Sequence, residues 1–145
     1  MKTEFDNTEN EALNKAAVMQ SVILPNELRI GNLVGYKFGE DEIYAIRSFD
    51  EEYVSLKDNI SFDYIGYDEI NPLEITPFML EKLGFYLCEF NIPDKYKKEN
   101  CSFSIKYRKE NGYTVEYKYG HVYLKSIHQL QNLYFALTAR ELTVA

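Results

Sequence analysis

The chain contains 145 residues, of which 46% are hydrophobic and 15% aromatic, so it has ample material for a core and wholesale disorder is excluded. Its formal net charge of −7 argues against a broad phosphate-binding surface, because affinity for nucleic acid depends largely on neutralising phosphates. The sequence shows no signal peptide and no apolar run near the roughly 18 residues of a membrane span, so we expect a cytoplasmic protein without membrane contact.

Residues 1–24 differ in character from the rest of the chain. The polar, acidic opening MKTEFDNTEN is followed by ENEALNKAAVMQSV, which is compatible with a short helix that Pro25 would end. An isolated helix of this length is only marginally stable in water, so we predict an N-terminal arm that is either mobile or docked on the body or on a partner. Residues 25–145 are predicted to form one compact domain, with lobes at residues 25–75 and 76–145 as the alternative.

The next segments have the pattern of short strands. LRIGNLVGYKF, EIYAIRSF and YVSLKD are separated by polar turns at residues 39–42 and 50–52, and a further short strand is predicted within residues 62–67. Short strands joined by tight turns predict a meander that curls into a small barrel or half-barrel, as at the start of barrels of the Src-homology-3 kind. That likeness concerns the pattern alone, and such barrels serve many functions.

A helix and a second group of strands follow. TPFMLEKLGF is predicted to be a helix in which Thr76 is the N-cap, Pro77 takes the first helical position and Gly84 ends the helix in a left-handed conformation. Four runs, FYLCEF, CSFSIKY, YTVEYKY and VYLKSI, predict a four-stranded antiparallel meander, with a hairpin turn at Asn111-Gly112 and NIPDKYKKEN as a loop. The predicted fold class is therefore α+β, with a C-terminal helix packed on this meander.

The C-terminal helix is amphipathic. Ser126 followed by Gln129 has the spacing of a capping box, so the helix is predicted to begin at Ile127 or His128 and to reach at least Thr138. One side carries an apolar stripe that should pack on the meander, formed by Ile127, Leu130, Leu133, Tyr134 and Leu137.

The opposite side of this helix is a candidate partner-binding face, because a solvated surface would not normally place an aromatic ring between amides. The residues of this face are His128, Gln131, Asn132 and Phe135. In the alternative interpretation the helix lies between the two halves of the protein, and His128 and Gln131 satisfy backbone groups there.

The sequence offers little catalytic chemistry. Its two histidines, His121 and His128, are separated by a predicted strand, and spacing places no serine, cysteine or carboxylate beside them. Cys88 and Cys101 form no CxxC pair and lie in strand-like runs, which is typical of small buried side chains in a reducing cytoplasm. The glycines are dispersed, and no phosphate-binding loop is present. We therefore expect no catalytic residues, no metal site and no cofactor.

Two sequence segments resemble those of a known family. ELRIGNLV at residues 27–34 and HQLQNLYFALTARELTV at residues 128–144 resemble a family of small uncharacterised proteins encoded by phages, prophages and mobile elements of Bacteroides-type bacteria. INPLEITPFMLEKLGF is similar to the family's proline-led helix. The family tends to have glycine where this chain has Ala139, so the resemblance implies that the last helix continues here through residues 140–142. It also implies a phage or mobile-element protein in the cytoplasm of a bacterial host cell, with no assigned activity.

Two functions compete at this point. The leading hypothesis is an accessory protein of a phage or mobile element that acts without catalysis, by binding an unidentified host or phage protein. The alternative is a small β-rich nucleic-acid-binding module in which tyrosines stack on bases beside Lys106 and Lys118. The candidate stacking residues are Tyr113, Tyr117 and Tyr119. The basic clusters within residues 95–98 and 106–109 are interpreted as solvated turns, because acidic neighbours dilute them.

Overall fold

The computed structural model describes residues 23–41, 43–57, 64–89 and 94–144. These residues divide into two compact units, the first containing residues 23–30 and 34–72 and the second residues 73–144 together with the short segment 31–33. Each unit has its own antiparallel sheet, and the two α-helices lie in the second unit, which confirms the α+β class. The predicted N-terminal arm lies almost wholly outside the described residues.

The first unit is a five-stranded antiparallel sheet. Its strands are β1 (Leu33–Tyr36), β2 (Tyr44–Phe49), β3 (Tyr53–Leu56), β4 (Ile65–Gly66) and β5 (Ile70–Asn71), in the order β4-β3-β2-β1-β5. A 3₁₀ turn at Tyr67–Glu69 connects the last two strands. Apolar residues of the strands and of the segment before them form the core of this unit: Ile23, Leu28, Val34, Tyr44, Ile46, Val54, Leu56, Ile65 and Ile70.

The second unit begins with the short helix α1 (Pro77–Lys82). The Thr76 hydroxyl accepts a hydrogen bond from the Met79 N–H at 3.1 Å, Pro77 opens the helix, and Gly84 follows it at φ +89°. These three features confirm the predicted helix and both of its ends. Met79 and Leu80 of this helix are buried, so the side of the helix that carries them faces the core of the unit.

The second sheet has five strands rather than the predicted four. They are β6 (Tyr86–Glu89), β7 (Asp94–Lys97), β8 (Ser104–Arg108), β9 (Gly112–Tyr117) and β10 (Gly120–Leu124), each paired with its neighbours in chain order. The prediction of a loop between β6 and β8 was therefore wrong. Only Tyr96 is apolar in β7, so the alternation of this strand is weak in the sequence, although Tyr96 is 7% exposed in the structure.

The last helix, α2, spans Ile127–Thr138. Ile127, Leu130 and Tyr134 of the predicted stripe are buried, and the Tyr134 ring meets Phe103 edge-on at 5.9 Å. Leu137 is 39% exposed, so the stripe ends one turn earlier than predicted.

The predicted start of α2 at Ile127 and its extent to Thr138 are confirmed, but the predicted interactions at both ends need correction. Ser126 makes no capping hydrogen bond with its side chain, and Gln129 accepts from the Lys125 N–H at 2.9 Å instead of completing a capping box. At the other end Ala139 adopts the left-handed conformation, with φ +58°, and ends the helix after Thr138. The prediction that the helix continues through residues 140–142 was wrong, because the chain turns back and buries Leu142, which is 1% exposed.

Candidate binding surface

The predicted partner-binding face of α2 is mostly buried. His128 is 3% exposed and Gln131 2%, while Asn132 is half-buried and Phe135 is 38% exposed. These residues do lie close together along the helix, as predicted. Of the four, Phe135 alone presents a large part of its surface to solvent.

Gln131 uses both ends of its side-chain amide inside the second unit. Its Oε1 accepts from the Leu33 N–H at 2.7 Å, and its Nε2 donates to the carbonyl oxygens of Gly31 at 3.2 Å and Leu142 at 3.0 Å. The amide thus ties α2 to the segment 31–33 and to the C-terminal tail. This arrangement is the structural role considered in the alternative interpretation of the helix.

His128 lies beside a serine that spacing alone did not assign to it. The Nδ1 atom of His128 is 3.1 Å from the Ser126 hydroxyl, and each residue is 3% exposed. A serine and a histidine in contact resemble part of a nucleophile–base pair. Here the pair is closed off from solvent, so the described surface offers a substrate no access to it.

The structure brings only some of the candidate stacking tyrosines beside the cations proposed to flank them. Lys118 Nζ lies 5.6 Å from the centre of the Tyr119 ring, and Lys118 and Tyr117 line the same hollow. Tyr113 packs between Tyr96 and Tyr107, with ring centroids at 6.4 and 4.8 Å, and burial raises the pKa of its phenol to about 12. Tyr119 is 83% exposed in the turn after β9. Lys106 pairs with Thr114, and side chains alternate along a strand, so this lysine projects from the face of the sheet opposite to Tyr113.

The outer face of the second sheet brings together residues that are distant in the sequence. Directly paired residues on antiparallel strands project from the same face. Lys95 on β7 pairs with Lys106 on β8, Lys106 with Thr114 on β9, and Thr114 with Tyr123 on β10. The same face carries Tyr86, Lys97, Ser104, Arg108, Glu116 and His121. We call the surface defined by Lys95, Lys97, Lys106 and Arg108 the basic face.

Positive charge predominates on the basic face. Lys95 and Lys106 are directly opposite each other, an arrangement that destabilises a sheet by several tenths of a kcal/mol unless the charges are compensated. Glu116 forms an ion pair with Lys106 at 2.9 Å. In the register of the strands Glu89 of β6 stands opposite Lys95, so two acidic positions, Glu89 and Glu116, face the four cations and the basic face keeps a surplus of positive charge.

Two hollows adjoin the basic face, and Glu116 lines both. The larger, of about 480 Å³, is lined by Lys95, Lys97 and Lys118 together with the segment 101–104. The smaller, of about 180 Å³, lies at the β8–β10 side of the face and is lined by Arg108, Asn111, Thr114, Glu116, His121 and Tyr123. The hollows provide concave, polar surface next to exposed cations.

The two cysteines are half-buried free thiols that donate to backbone carbonyls. Cys88 Sγ is 3.2 Å from the Lys95 carbonyl oxygen and Cys101 Sγ is 3.6 Å from that of Phe103. Burial raises the pKa of the Cys101 thiol, which favours the protonated form over the reactive thiolate. Within the described ranges no group of three or more histidine, cysteine, aspartate or glutamate side chains is placed to hold a metal ion. Neither helix there has the length and apolarity needed to cross a bilayer.

Comparison of the chain with protein-family models, with curated proteins and with solved structures gives no match. The resemblance to phage-encoded proteins therefore stays a prediction from the two sequence segments, and the candidate site depends on its own geometry.

Sequence reasoning missed the basic face because it treated β7 as a loop. The sequence did contain a sign of this strand: Lys95, Tyr96 and Lys97 alternate between charged and aromatic residues, as the two faces of a strand do. Once that segment is a strand, its lysines lie on the same face as those of β8.

Proposed function

We propose that this protein is a non-catalytic binding module that binds a single strand of nucleic acid on the basic face. The observation that carries the proposal is the grouping of Lys95, Lys97, Lys106 and Arg108 on one sheet surface of a chain whose net charge is −7. These four cations outnumber the two acidic positions of the same face, Glu89 and Glu116, and the phosphates of a nucleic acid would neutralise the remaining positive charge.

The net charge of −7 lowers the overall attraction of a polyanion, but the charges nearest to the bound strand have the larger effect on its binding. Charges on a solvated surface are screened beyond about 10 Å at an ionic strength of about 0.1 M, so a bound phosphate responds mainly to the side chains nearest to it. On the basic face these are three lysines and one arginine, set against Glu116, which is paired with Lys106, and the acidic position Glu89 opposite Lys95.

The aromatic side chains on this face favour an unpaired strand over a duplex. Tyr86 is 51% exposed and Tyr123 is 55% exposed, and both project from the face that carries the cations. Exposed aromatic rings stack on unpaired bases without sequence preference, whereas the bases of a duplex are already stacked on one another. The tyrosines that we assign to stacking are thus different from the three that the sequence indicated.

The biological setting is also a proposal. The sequence segments 27–34 and 128–144 support the proposal that the chain is an accessory protein of a phage or mobile element, acting in the bacterial cytoplasm. Strand order and the 3₁₀ turn between β4 and β5 support a further proposal, that the first sheet curls into a small half-barrel.

A second candidate function is the binding of a protein partner, as the sequence first suggested. The observation that favours it is the exposure of apolar side chains at the C-terminal end of α2 and in the tail. Phe135 is 38% exposed, Leu137 39% and Val144 40%. One of these three residues, Phe135, belongs to the face predicted from the sequence.

The test is fluorescence anisotropy with a labelled single-stranded oligonucleotide of about 16 nucleotides, which spans the site of one small β-domain. With four phosphate contacts, the slope of log K against log salt for a single strand is about −0.7 × 4, or about −3. Affinity should therefore fall about 50-fold between roughly 50 and 200 mM salt. A duplex of the same sequence should bind more weakly.

Matched variants separate the basic face from general charge. Lys95→Glu with Lys106→Glu should abolish most of the binding, since it removes two phosphate contacts and adds repulsion. Lys57→Glu with Arg140→Glu changes the net charge equally at exposed positions that are not in the strands of the second sheet, and should have a small effect. Equal losses in the two double variants, or no binding at about 50 mM salt, would overturn the proposal. A protein captured from host lysate after nuclease treatment, and lost in Phe135→Asp, would favour the second candidate instead.

A further inference from the structure

We propose that the smaller hollow beside the basic face binds a phosphate group of the nucleic-acid strand. This inference rests on the proposed function, and it assigns a particular site and chemical group within that surface. The hollow is formed at the end of the β8–β9 hairpin and along β10, and six residues line it: Arg108, Asn111, Thr114, Glu116, His121 and Tyr123.

The size of the hollow suits a single chemical group. Pockets that hold drug-sized ligands have volumes of about 300 Å³ or more. The hollow has about 180 Å³, so it is too small to enclose a whole nucleotide. A phosphate that is attached to a strand lying on the neighbouring face would enter it from the open side.

The lining residues supply donors of the kind that a phosphate needs. Arg108 has a planar guanidinium whose N–H groups match two phosphate oxygens at once. Asn111, His121 and Tyr123 add an amide, an imidazole and a phenol, each able to donate one hydrogen bond or more. The His121 and Tyr123 rings pack edge-on with their centroids at 5.5 Å, so their mutual contact limits the positions that each can adopt.

Thr114 is the observation that points most directly to a ligand. The residue is 5% exposed, although it lies on the outer face of the sheet in a row with Lys106 and Tyr123. Among the described residues its hydroxyl has no hydrogen-bond partner. A valine would fill the same position without a buried polar atom, so the hydroxyl is explained if a ligand oxygen completes its hydrogen bond.

Glu116 is the unfavourable member of the lining. A carboxylate repels an anion, but its ion pair with Lys106 at 2.9 Å offsets part of its charge. The hairpin turn holds the opposite end of the hollow in place, since the Asn111 N–H donates to the Arg108 carbonyl oxygen at 3.1 Å. Arg108 and Asn111 therefore project from a closed turn rather than from a long loop.

The test compares two oligonucleotides of one sequence, one with a 5′-phosphate and one with a 5′-hydroxyl, on the wild type and on two threonine variants. Thr114→Val removes the hydroxyl and keeps the volume of the side chain. Thr143→Val makes the same change at an exposed position in the C-terminal tail and is the control. Thr114→Val should weaken binding about tenfold, which is the contribution of one hydrogen bond to a charged group, and Thr143→Val should leave it unchanged.

The pattern of loss identifies the source of the phosphate. If the 5′-phosphate strengthens wild-type binding and Thr114→Val removes that gain, the occupant is a terminal phosphate. If Thr114→Val weakens both oligonucleotides equally, the occupant is a backbone phosphodiester. If both oligonucleotides bind the wild type and Thr114→Val alike, the hollow is not a phosphate site, while the proposed function of the basic face stands.

A second measurement keeps the inference testable if neither oligonucleotide binds. Inorganic phosphate is titrated into the labelled protein while the backbone amide signals of Asn111 and Thr114 are followed by nuclear magnetic resonance. Saturable shifts in the wild type that are absent in Thr114→Val support the site independently of nucleic acid. Absence of such shifts in the wild type overturns it.

Discussion

Replacing Gln131 with methionine tests whether this residue holds the second unit together. Methionine keeps the volume and flexibility of the side chain, so little cavity cost is expected. The change leaves the Leu33 N–H without its acceptor and removes a donor from the carbonyl oxygens of Gly31 and Leu142. A buried backbone group without a partner costs about 1–3 kcal/mol, so we expect a loss of about 3 kcal/mol from the free energy of unfolding.

Urea denaturation followed by far-ultraviolet circular dichroism measures this loss. With a denaturant dependence of about 1.5 kcal/mol per molar urea, a change of about 3 kcal/mol lowers the midpoint by about 2 M. Gln129→Met is the matched control on the same helix, because Gln129 accepts one exposed hydrogen bond, from the Lys125 N–H at 2.9 Å. If the two variants lose equal stability, Gln131 does not carry the structural role given to it.

The remaining predictions concern a helix end and a phenol. Ala139→Gly should raise the free energy of unfolding by about 0.5–1 kcal/mol, because glycine adopts the left-handed conformation without strain. Ala136→Gly, on the exposed side of the same helix, should lower the free energy of unfolding by about 1 kcal/mol. Destabilisation by both substitutions in urea denaturation would mean that the helix continues past Ala139. For Tyr113, phenolate absorbance should show one group with a pKa of about 12 that disappears in Tyr113→Phe. Burial raises this pKa from 10.0, so the folded state holds the phenol proton more strongly than the unfolded state does. The protonated Tyr113 therefore makes its full contribution to the free energy of unfolding below pH 10.0, and this contribution is lost as the pH rises toward 12. Ordinary titration of every phenol in the folded protein would contradict this prediction.

Features that depend on adjacent residues were predictable from the sequence. The cap at Thr76, the proline after it and the glycine at the end of α1 specify that helix through contacts within a few residues. The end of α2 was not predictable in this way. Ala139 has no local preference for the left-handed conformation, and the turn there depends on the burial of Leu142 and on the hydrogen bond of its carbonyl oxygen to Gln131.

The role of Gln131 depends on residues about a hundred positions away in the chain. Its amide was conspicuous on the helix beside Phe135, and the sequence allowed either a binding role or a structural one. The structure places the Leu33 N–H and the Gly31 carbonyl oxygen within hydrogen-bond distance of that amide. No periodicity in the helix itself contains that information, because the partners lie on a separate segment.

The basic face shows why total charge was a poor guide to the surface of this protein. Lys95 and Lys106 belong to two clusters that looked like separate solvated turns, and each cluster is diluted by acids along the sequence. In a sheet, however, the neighbours of a lysine are the residues across the strand pair, and Lys95 meets Lys106 there. Asp94, next in sequence to Lys95, pairs with Tyr107 and projects from the opposite face. The negative net charge lowers the overall attraction of a polyanion, so the local grouping of cations on the basic face would direct a bound strand there.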